Sequence, residues 1–234
     1  MSWFDGITEA PSPNFDTRAL PVSMIVLHYT GMVSGALERL RDPDARVSSH
    51  YLVEEDGRVF RLVNEADRAW HAGKSRWHDI TDINSASVGI EIANPGHEHG
   101  YRPFPRVQMA RVVRLVQAIS ARHRIDRAMV VGHSDIAPTR KDDPGELFDW
   151  PLLARHRLAL ARPDRLLVDP LWPDAAFYLS LERFGYDVTD PVAATRAFQR
   201  RFRPAFFDGA VDGETRAILF TLLAEEASRL NANS

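Results

Sequence analysis

The chain has 234 residues, of which 44% are hydrophobic and 26% charged, a composition that is ordinary for a globular protein and excludes a fibrous or wholly disordered one. Its 29 Lys and Arg against 32 Asp and Glu give a formal net charge of -3, which argues against a nucleic-acid partner held by bulk electrostatics. Cysteine is absent, so disulfides and thiolate ligands are excluded, and any bound metal must use His, Asp or Glu.

The N-terminal segment, residues 1–21, carries acidic residues and prolines where a secretory signal needs basic residues and an unbroken apolar stretch. No apolar run approaches the roughly 20 residues of a membrane helix. We therefore expect a chain without a membrane span and favour the cytoplasm as its location. A periplasmic location is the alternative if a signal has been removed.

The first strand is predicted in residues 22–29, VSMIVLHY, a compact apolar run rich in β-formers. Ser34 is predicted to cap a short helix through ALERLRD. The segments HYLVEE and RVFRLV flank Asp56-Gly57, and β-rich segments on both sides of that dipeptide predict a hairpin. Residues 64–87 hold many turn formers and are predicted to run over the surface as an irregular functional loop.

Further along the chain, β-rich and amphipathic segments alternate. Residues 87–92, SVGIEI, predict a buried strand, and apolar residues at helical spacing predict a helix over residues 105–124. The segment MVVGH predicts another buried strand, a turn-rich stretch follows, and WPLLARHRLAL predicts a helix that ends before Arg162-Pro163. Strands interleaved with helices in this order indicate an α/β domain.

The C-terminal part has a different pattern. Three prolines within residues 162–173 indicate a linker. Beyond it, three short amphipathic stretches are broken at Gly185 and around Asp208-Gly209, which indicates a small helical domain. The predicted organisation is a first domain of residues 1–161, a linker of residues 162–173 and a helical domain of residues 174–234.

Two histidines stand at the ends of predicted buried strands. His28 follows MIVL and His133 follows MVVG, and strand ends are where an α/β sheet presents side chains to a crevice. Two imidazoles with a nearby carboxylate match the three-ligand pattern of a catalytic zinc site. Asp143 is the candidate carboxylate, in a loop whose shape Pro144 and Gly145 restrict. From spacing alone, a solvated turn is the better interpretation of this loop.

Two further charged residues suit hydrolysis. If Ile90 and Ile92 face the core, Glu91 points to the opposite side of its strand, where a carboxylate needs a partner or a task. It is predicted to take a proton from zinc-bound water, whose pKa falls to about 7, and the alternative is a solvated glutamate at a strand edge. Lys141 precedes Asp143 by two residues, so an extended loop places both side chains on one side. Its cation is predicted to stabilise an oxyanion, unless it is an ordinary surface lysine.

Five stretches carry a family resemblance: MIVLHYT, SSHYLVEEDGRVFRLV, RAWHAGKS, SVGIEIAN and GHSDIAPTRKDDPGELFDW. In order, and over roughly residues 20–155, they resemble the type-2 N-acetylmuramoyl-L-alanine amidases, a zinc family that includes bacterial wall-recycling and outer-membrane-associated enzymes. The resemblance implies a central mixed β-sheet flanked by helices. It also implies cleavage of the amide between the muramic-acid lactyl group and L-alanine.

The resemblance further implies roles by position. The implied site residues are His28, His133 and Asp143 as zinc ligands, Glu91 as the proton-transfer group and Lys141 as the cation beside the metal. The residues implied to contact glycan or stem peptide are Trp70, His71, Ala72 and Asn94. His50, in SSHY, is not at a ligand position and is predicted to be structural.

The C-terminal stretches LERFGYDV, TRAFQRRFRP and DGAVDGETRAIL are similar to the three-helix peptidoglycan-binding domain often fused to wall hydrolases. The resemblance implies a small all-α C-terminal domain that binds peptidoglycan. The alternative is that these helices only pack on the catalytic domain, because an apolar stripe at helical spacing is more often core than binding groove.

The predicted function is therefore zinc-dependent cleavage of peptidoglycan or of soluble muropeptides without a nucleic-acid partner. The sequence leaves the oligomeric state open, and we favour a monomer. One alternative is a non-catalytic peptidoglycan-recognition module, against which the intact set of ligands and charged residues argues. A second is a zinc peptidase acting within the stem peptide, against which the absence of an HExxH motif argues.

Overall fold

The computed structural model describes residues 6–232. The first five residues of the segment examined for a signal, and the last two of the predicted helical domain, lie outside the described residues. The strands are β1 (Ile7–Glu9), β2 (Phe15–Thr17), β3 (Met24–Tyr29), β4 (Tyr51–Val53), β5 (Val59–Arg61), β6 (Asp67–Ala69), β7 (Ser87–Ile92) and β8 (Val130–Gly132). The helices are α1 (Ala36–Arg41), α2 (Ile83–Ala86), α3 (Arg106–His123), α4 (His133–Ile136), α5 (Trp150–Arg155), α6 (Asp174–Phe184), α7 (Pro191–Phe202) and α8 (Gly213–Ala232).

Within residues 6–232, six strands form one mixed sheet in the order β1-β5-β4-β7-β3-β8. Strand β3 runs parallel to β7 and β8, and β7 runs parallel to β4. Strands β4 and β5 form an antiparallel hairpin, in whose turn Gly57 takes a φ of 85°. The predicted mixed sheet, the hairpin at Asp56-Gly57, the three buried strands and the helix α3 are confirmed.

Different parts of the chain bury the two faces of the sheet. On one face, Ile25 and Leu27 of β3 share an apolar cluster with the buried side of α3. On the other, Met24 and Val26 belong to a second cluster that includes buried phenylalanines of α6 and α7. Because side chains alternate along a strand, His28 projects from the same face as Met24 and Val26. The C-terminal helices therefore cover the sheet face from which His28 projects.

Residues 64–87 are more regular and more buried than the surface loop predicted from the sequence. Strand β6 pairs with β2, and α2 is a buried turn of helix. Trp77 is 1% exposed and packs edge-on against Phe184 and Tyr186. Gly185 lies against the same ring, and a Cβ at this position would come within 2.7 Å of an indole carbon. The prediction is wrong because the side chains that bury this segment come from distant parts of the sequence.

Two local predictions also need correction. Gly35, in a left-handed conformation, is the N-cap of α1, so Ser34 does not cap this helix. Helix α5 is shorter than predicted and ends at Arg155. Two residues later, Arg157 has a positive φ of 59°, which is incompatible with a continued helix. Strands β1 and β2 were too short, at three residues each, to be predicted from periodicity.

Helices α6, α7 and α8 form the three-helix tail that the sequence predicts, with Gly185 ending the first of them. The domain boundaries themselves stay a prediction, since the tail shares an apolar cluster with the sheet. Across residues 6–232, no helix combines the length and the apolar character that crossing a membrane requires.

Candidate metal centre and cleft

Three buried donor atoms meet at one end of the sheet. The Nδ1 atoms of His28 and His133 lie 2.9 Å apart, and each lies 3.1 Å from Oδ2 of Asp143. His28 is in β3, and Asp143 is in the loop after α4. His133 is the first residue of α4 rather than, as predicted, the last residue of β8. The three predicted ligands thus form a buried group that can bind a metal ion.

Hydrogen bonds to the outer nitrogens fix the protonation of both imidazoles. His133 Nε2 donates to the carbonyl oxygen of Ala72 at 3.1 Å, which leaves its Nδ1 with a lone pair. His28 Nε2 lies 3.0 Å from His71 Nδ1, and His71 Nε2 lies 3.3 Å from Ser87 Oγ. The Ser87 hydroxyl already donates to a carbonyl of α2, so it accepts from His71, whose Nδ1 accepts from His28. The Nδ1 atoms of both candidate ligands are therefore unprotonated and face each other.

The charge state of the group fits a divalent cation. Burial, followed by the charge of His133, lowers the pKa of His28 to about 4, so its ring is neutral near pH 7. Burial alone would raise the pKa of Asp143, but the adjacent imidazoles of His133 and His28, which stabilise the carboxylate by charge and by hydrogen bonds whenever they are protonated, hold this pKa well below its usual range. Neutral imidazoles and an ionised carboxylate are the forms that ligate metals, and this nitrogen and oxygen set suits zinc. Three lone-pair donors this close repel one another unless a cation lies among them.

Glu91 projects from β7 beside the three donors. It pairs with His28 of β3 in the sheet register, so the two side chains share a face. Its Oε2 is buried and has no hydrogen-bond partner within residues 6–232. Burial, followed by the charge of Asp143, raises the pKa of Glu91 well above its usual value, while Lys141 acts in the opposite direction. A carboxyl group with a raised pKa is suited to accept and return a proton near neutral pH.

The donors and Glu91 open into a cleft of about 400 Å³. Lys141 lines this cleft together with His28, His133 and Asp143, as the sequence predicts for a cation near the reacting centre. Lys141 as a whole is half-buried. The cleft therefore combines a metal-binding group, a proton acceptor and a cation.

The four residues predicted to contact substrate occupy two kinds of position. Trp70 and His71 line the cleft. Ala72 is fully buried, and its carbonyl accepts the hydrogen bond from His133. Asn94 is 1% exposed, and its side chain bonds backbone groups of the loop that follows it at 2.7 and 3.1 Å. Substrate contact stays a prediction for all four residues.

His50 has the structural position that the sequence predicts. Its ring is fully buried, Nδ1 accepts from the backbone N–H of Gly89 at 2.9 Å, and Nε2 donates to the carbonyl of Asp67 at 3.1 Å. The Gly89 backbone also lies directly against the ring of His71, and a Cβ there would come within 2.5 Å of that ring. His50 and Gly89 thus support the position of the His71 ring.

Two residues that hold the site together have no motif signal in the sequence. Asn84 Oδ1 accepts hydrogen bonds from the backbone N–H groups of His71 and Ala72, at 2.9 and 2.8 Å. Arg140 lines the cleft and donates to the carbonyls of Ala72 and Lys74 at 3.0 and 2.6 Å. These contacts depend on the folded path of the backbone, which a lone Asn or Arg in a turn-rich stretch does not reveal.

Comparisons with known proteins agree with this geometry. A family profile described as N-acetylmuramoyl-L-alanine amidase matches residues 18–146. The chain is similar to the N-acetylmuramoyl-L-alanine amidase AmiD of Escherichia coli (strain K12), with 36% identity, 93% of this chain covered and 90% of that protein. It is also similar to the 1,6-anhydro-N-acetylmuramyl-L-alanine amidase AmpD of Haemophilus influenzae, with 35% identity over 59% of this chain and 85% of that protein.

Two solved structures share the fold over most of their length. One is the complex of AmiD from E. coli with the substrate anhydro-N-acetylmuramic acid-L-Ala-D-gamma-Glu-L-Lys, with a TM-score of 0.78 and 34% identity over 88% of this chain and 91% of that one. The other is AmpDh3 from Pseudomonas aeruginosa, with a TM-score of 0.78 and 33% identity over 87% of this chain and 92% of that one.

Proposed function

The chain belongs to the N-acetylmuramoyl-L-alanine amidase family, and on that premise we propose that it hydrolyses the amide bond between N-acetylmuramic acid, or its anhydro form, and L-alanine. The metal in this proposal is zinc, held by His28, His133 and Asp143. The observation that carries the proposal is the convergence of these three donors in one cleft beside Glu91, a half-buried residue whose buried Oε2 has no hydrogen-bond partner within residues 6–232.

Glu91 and Lys141 have distinct tasks in the proposed reaction. A zinc ion at the three donors would supply a Lewis acid, lower the pKa of water from about 15.7 to about 7 and favour the ionised form of nearby carboxyls. Glu91 takes a proton from the water that attacks the lactyl carbonyl carbon. Lys141 faces the carbonyl oxygen and stabilises the negative charge that develops there. Glu91 then delivers its proton to the alanine nitrogen as the C–N bond breaks, which yields a muramic carboxylate and a free peptide amine.

The neighbouring residues keep this arrangement in place. His71 and the Ala72 carbonyl hold the two imidazoles so that their Nδ1 atoms point inward. Asn84 holds the backbone of both residues at once. Ligand orientation of this kind is worth about 10–100-fold in metal affinity or activity in other metal sites.

The test is product analysis with two substrates. The full chain is incubated with intact sacculi and, separately, with soluble anhydro-muropeptides, each with and without a chelator. The products are identified by mass spectrometry. We expect free peptides that begin at L-alanine, no reaction with the chelator, and recovery on adding zinc. Fragments cut within the stem peptide would instead identify a peptidase, and binding without any product would identify a recognition module.

We also propose that residues 174–234 bind peptidoglycan. The resemblance of their motifs to a wall-binding three-helix domain and the three helices α6–α8 support this proposal. The test is co-sedimentation of the full chain with sacculi in an excess of soluble muropeptide, which fills the cleft. Retention on the sacculi under these conditions is the expected result, and complete release would contradict wall binding by the helices.

A further inference from the structure

The last turn of helix α7 contains two consecutive arginines that the proposed reaction does not use. Arg200 and Arg201 are 7% and 6% exposed, although arginine is seldom this buried unless it is paired. Both reach out of the C-terminal helices into the part of the chain that carries the candidate metal ligands. One contacts the segment of His133, and the other contacts the segment of Asp143.

Arg201 holds the turn that begins with His133. Its Nη1 donates to Oδ2 of Asp135 at 2.7 Å, and its Nη2 donates to the carbonyls of Val130 and Leu160 at 3.1 and 2.9 Å. The guanidinium lies 4.0 Å from the centre of the Trp150 ring. Because Asp135 is on the single turn of α4, two residues from His133, Arg201 restrains the backbone on both sides of that ligand.

Arg200 holds the loop that contains Asp143. Its Nη2 lies 2.7 Å from Oδ1 of Asp142, and its Nε lies 3.7 Å from Oε2 of Glu146. Glu146 in turn lies 3.1 Å from Nε2 of His97, which lines the cleft. Arg200 therefore contacts the loop one residue before Asp143 and three residues after it.

We propose that Arg200 and Arg201 are positioning residues, through which helix α7 sets the separation of the segments that carry His133 and Asp143 and so sets the metal affinity of the site. The C-terminal helices then form part of the metal centre's support, whether or not they also bind the wall. The inference rests on the proposed function only in taking His28, His133 and Asp143 as metal ligands.

The sign of the effect separates positioning from plain electrostatics. Arg200 is a cation, so its removal should strengthen the binding of another cation nearby if only charge matters. A positioning residue has the opposite effect, because the loop of Asp143 relaxes when the ion pair is lost. Metal affinity in an Arg200 variant therefore decides between the two.

The experiment measures zinc affinity of the full chain by competition with a chromophoric chelator. We expect Arg200→Gln to weaken zinc binding about 10–100-fold, with partial rescue in Arg200→Lys, which keeps the charge. The matched control is Arg216→Gln. Arg216 makes a two-pronged ion pair with Asp169 at 2.9 and 2.7 Å, also within the C-terminal part, but neither residue lines the cleft. Its zinc affinity should equal that of the unmodified chain.

A second variant keeps the test decisive if Arg200→Gln does not fold. Arg201→Lys retains a buried cation beside Asp135 but loses the guanidinium group, which also donates to two backbone carbonyls. We expect this variant to bind zinc more weakly too. Unchanged or tighter zinc binding in the folded variants would overturn the inference while leaving the proposed function intact. An unmodified chain that binds no zinc would overturn both, and the amidase assay identifies that case separately.

Discussion

The cleft and the contact between α7 and α4 each contain a carboxyl group with a buried oxygen, and the surroundings of the two groups are opposite. Asp135, at the helix contact, accepts hydrogen bonds from the Gly132 N–H, the Tyr186 hydroxyl and Arg201, all at 2.6 or 2.7 Å. Glu91, in the cleft, has a buried oxygen for which the described part of the chain offers no donor.

This difference separates what holds the fold from what performs chemistry. A buried polar group without a partner destabilises a fold by about 1–3 kcal/mol, so Glu91 lowers stability where Asp135, fully paired, does not. The unpaired carboxyl is available to move a proton, whereas the paired one is not. Substitutions in the cleft should therefore remove activity and spare stability, and substitutions at the helix contact should first reduce stability.

The largest expected effect is that of Glu91→Gln. Loss of the group that accepts and returns the proton should reduce kcat by about 10²–10⁴-fold. Zinc content should be unchanged, and the melting temperature should stay the same or rise, because the variant removes an ionisable carboxyl group whose charged form is disfavoured by its surroundings. The measurement is kcat on an anhydro-muropeptide together with thermal unfolding. Turnover like that of the unmodified chain would rule out Glu91 as the proton-transfer group.

At the helix contact, we expect Arg201→Met to reduce the free energy of unfolding by about 3–5 kcal/mol, because it leaves Asp135 buried without its cation. Urea unfolding at neutral pH measures the loss. The double variant with Asp135→Asn should recover part of it, since the uncompensated charge is then gone. A loss below about 1 kcal/mol would show that the contact is not a buried ion pair in solution.

In the cleft again, Lys141→Met should lower kcat by about 10²–10³-fold, the usual effect of removing one donor to a developing oxyanion. Zinc affinity should not fall, because the variant removes a cation from the vicinity of the metal. Steady-state kinetics on zinc-saturated protein make the measurement. An effect confined to KM would instead indicate that Lys141 binds the ground state of the substrate.

The smallest expected effect is a pH dependence of stability at His50, whose ring lies against that of the cleft residue His71. Burial, followed by the charge of Arg18, lowers the pKa of His50 to about 3 from 6.5. The unfolded state therefore binds more protons than the folded state between these values, so stability decreases as the pH falls below 6.5, by about 1.4 kcal/mol per pH unit. Urea unfolding of His50→Asn without metal should show a shallower decrease than the unmodified chain, and identical slopes would contradict this account.

The sequence predicted strands β3, β7 and β8 and the candidate ligands His28 and His133 because these leave local signals. Compact apolar runs mark β3, β7 and β8, and the ends of parallel strands meet at one edge of a sheet, which brings His28 close to His133. The prediction of Asp143 as a ligand required the family resemblance, because the sequence of its loop alone indicates a solvated turn.

The supporting contacts were not predictable from the sequence for a physical reason. Ala72, whose carbonyl accepts the hydrogen bond from His133, is 61 positions away from it in the sequence. Arg201 and its hydrogen-bond partner Asp135 are 66 positions apart. Such pairs depend on how the helices pack on the sheet, and no local pattern records that. The burial of Trp77 by the C-terminal helices was missed for the same reason.

The most direct test of the account is a zinc titration of the metal-free chain by calorimetry, repeated with His133→Ala. We expect one zinc ion per unmodified chain, recovery of amidase activity in step with its binding, and loss of this binding in the variant. Zinc binding of equal stoichiometry and affinity in His133→Ala would mean that His28, His133 and Asp143 do not hold the catalytic ion.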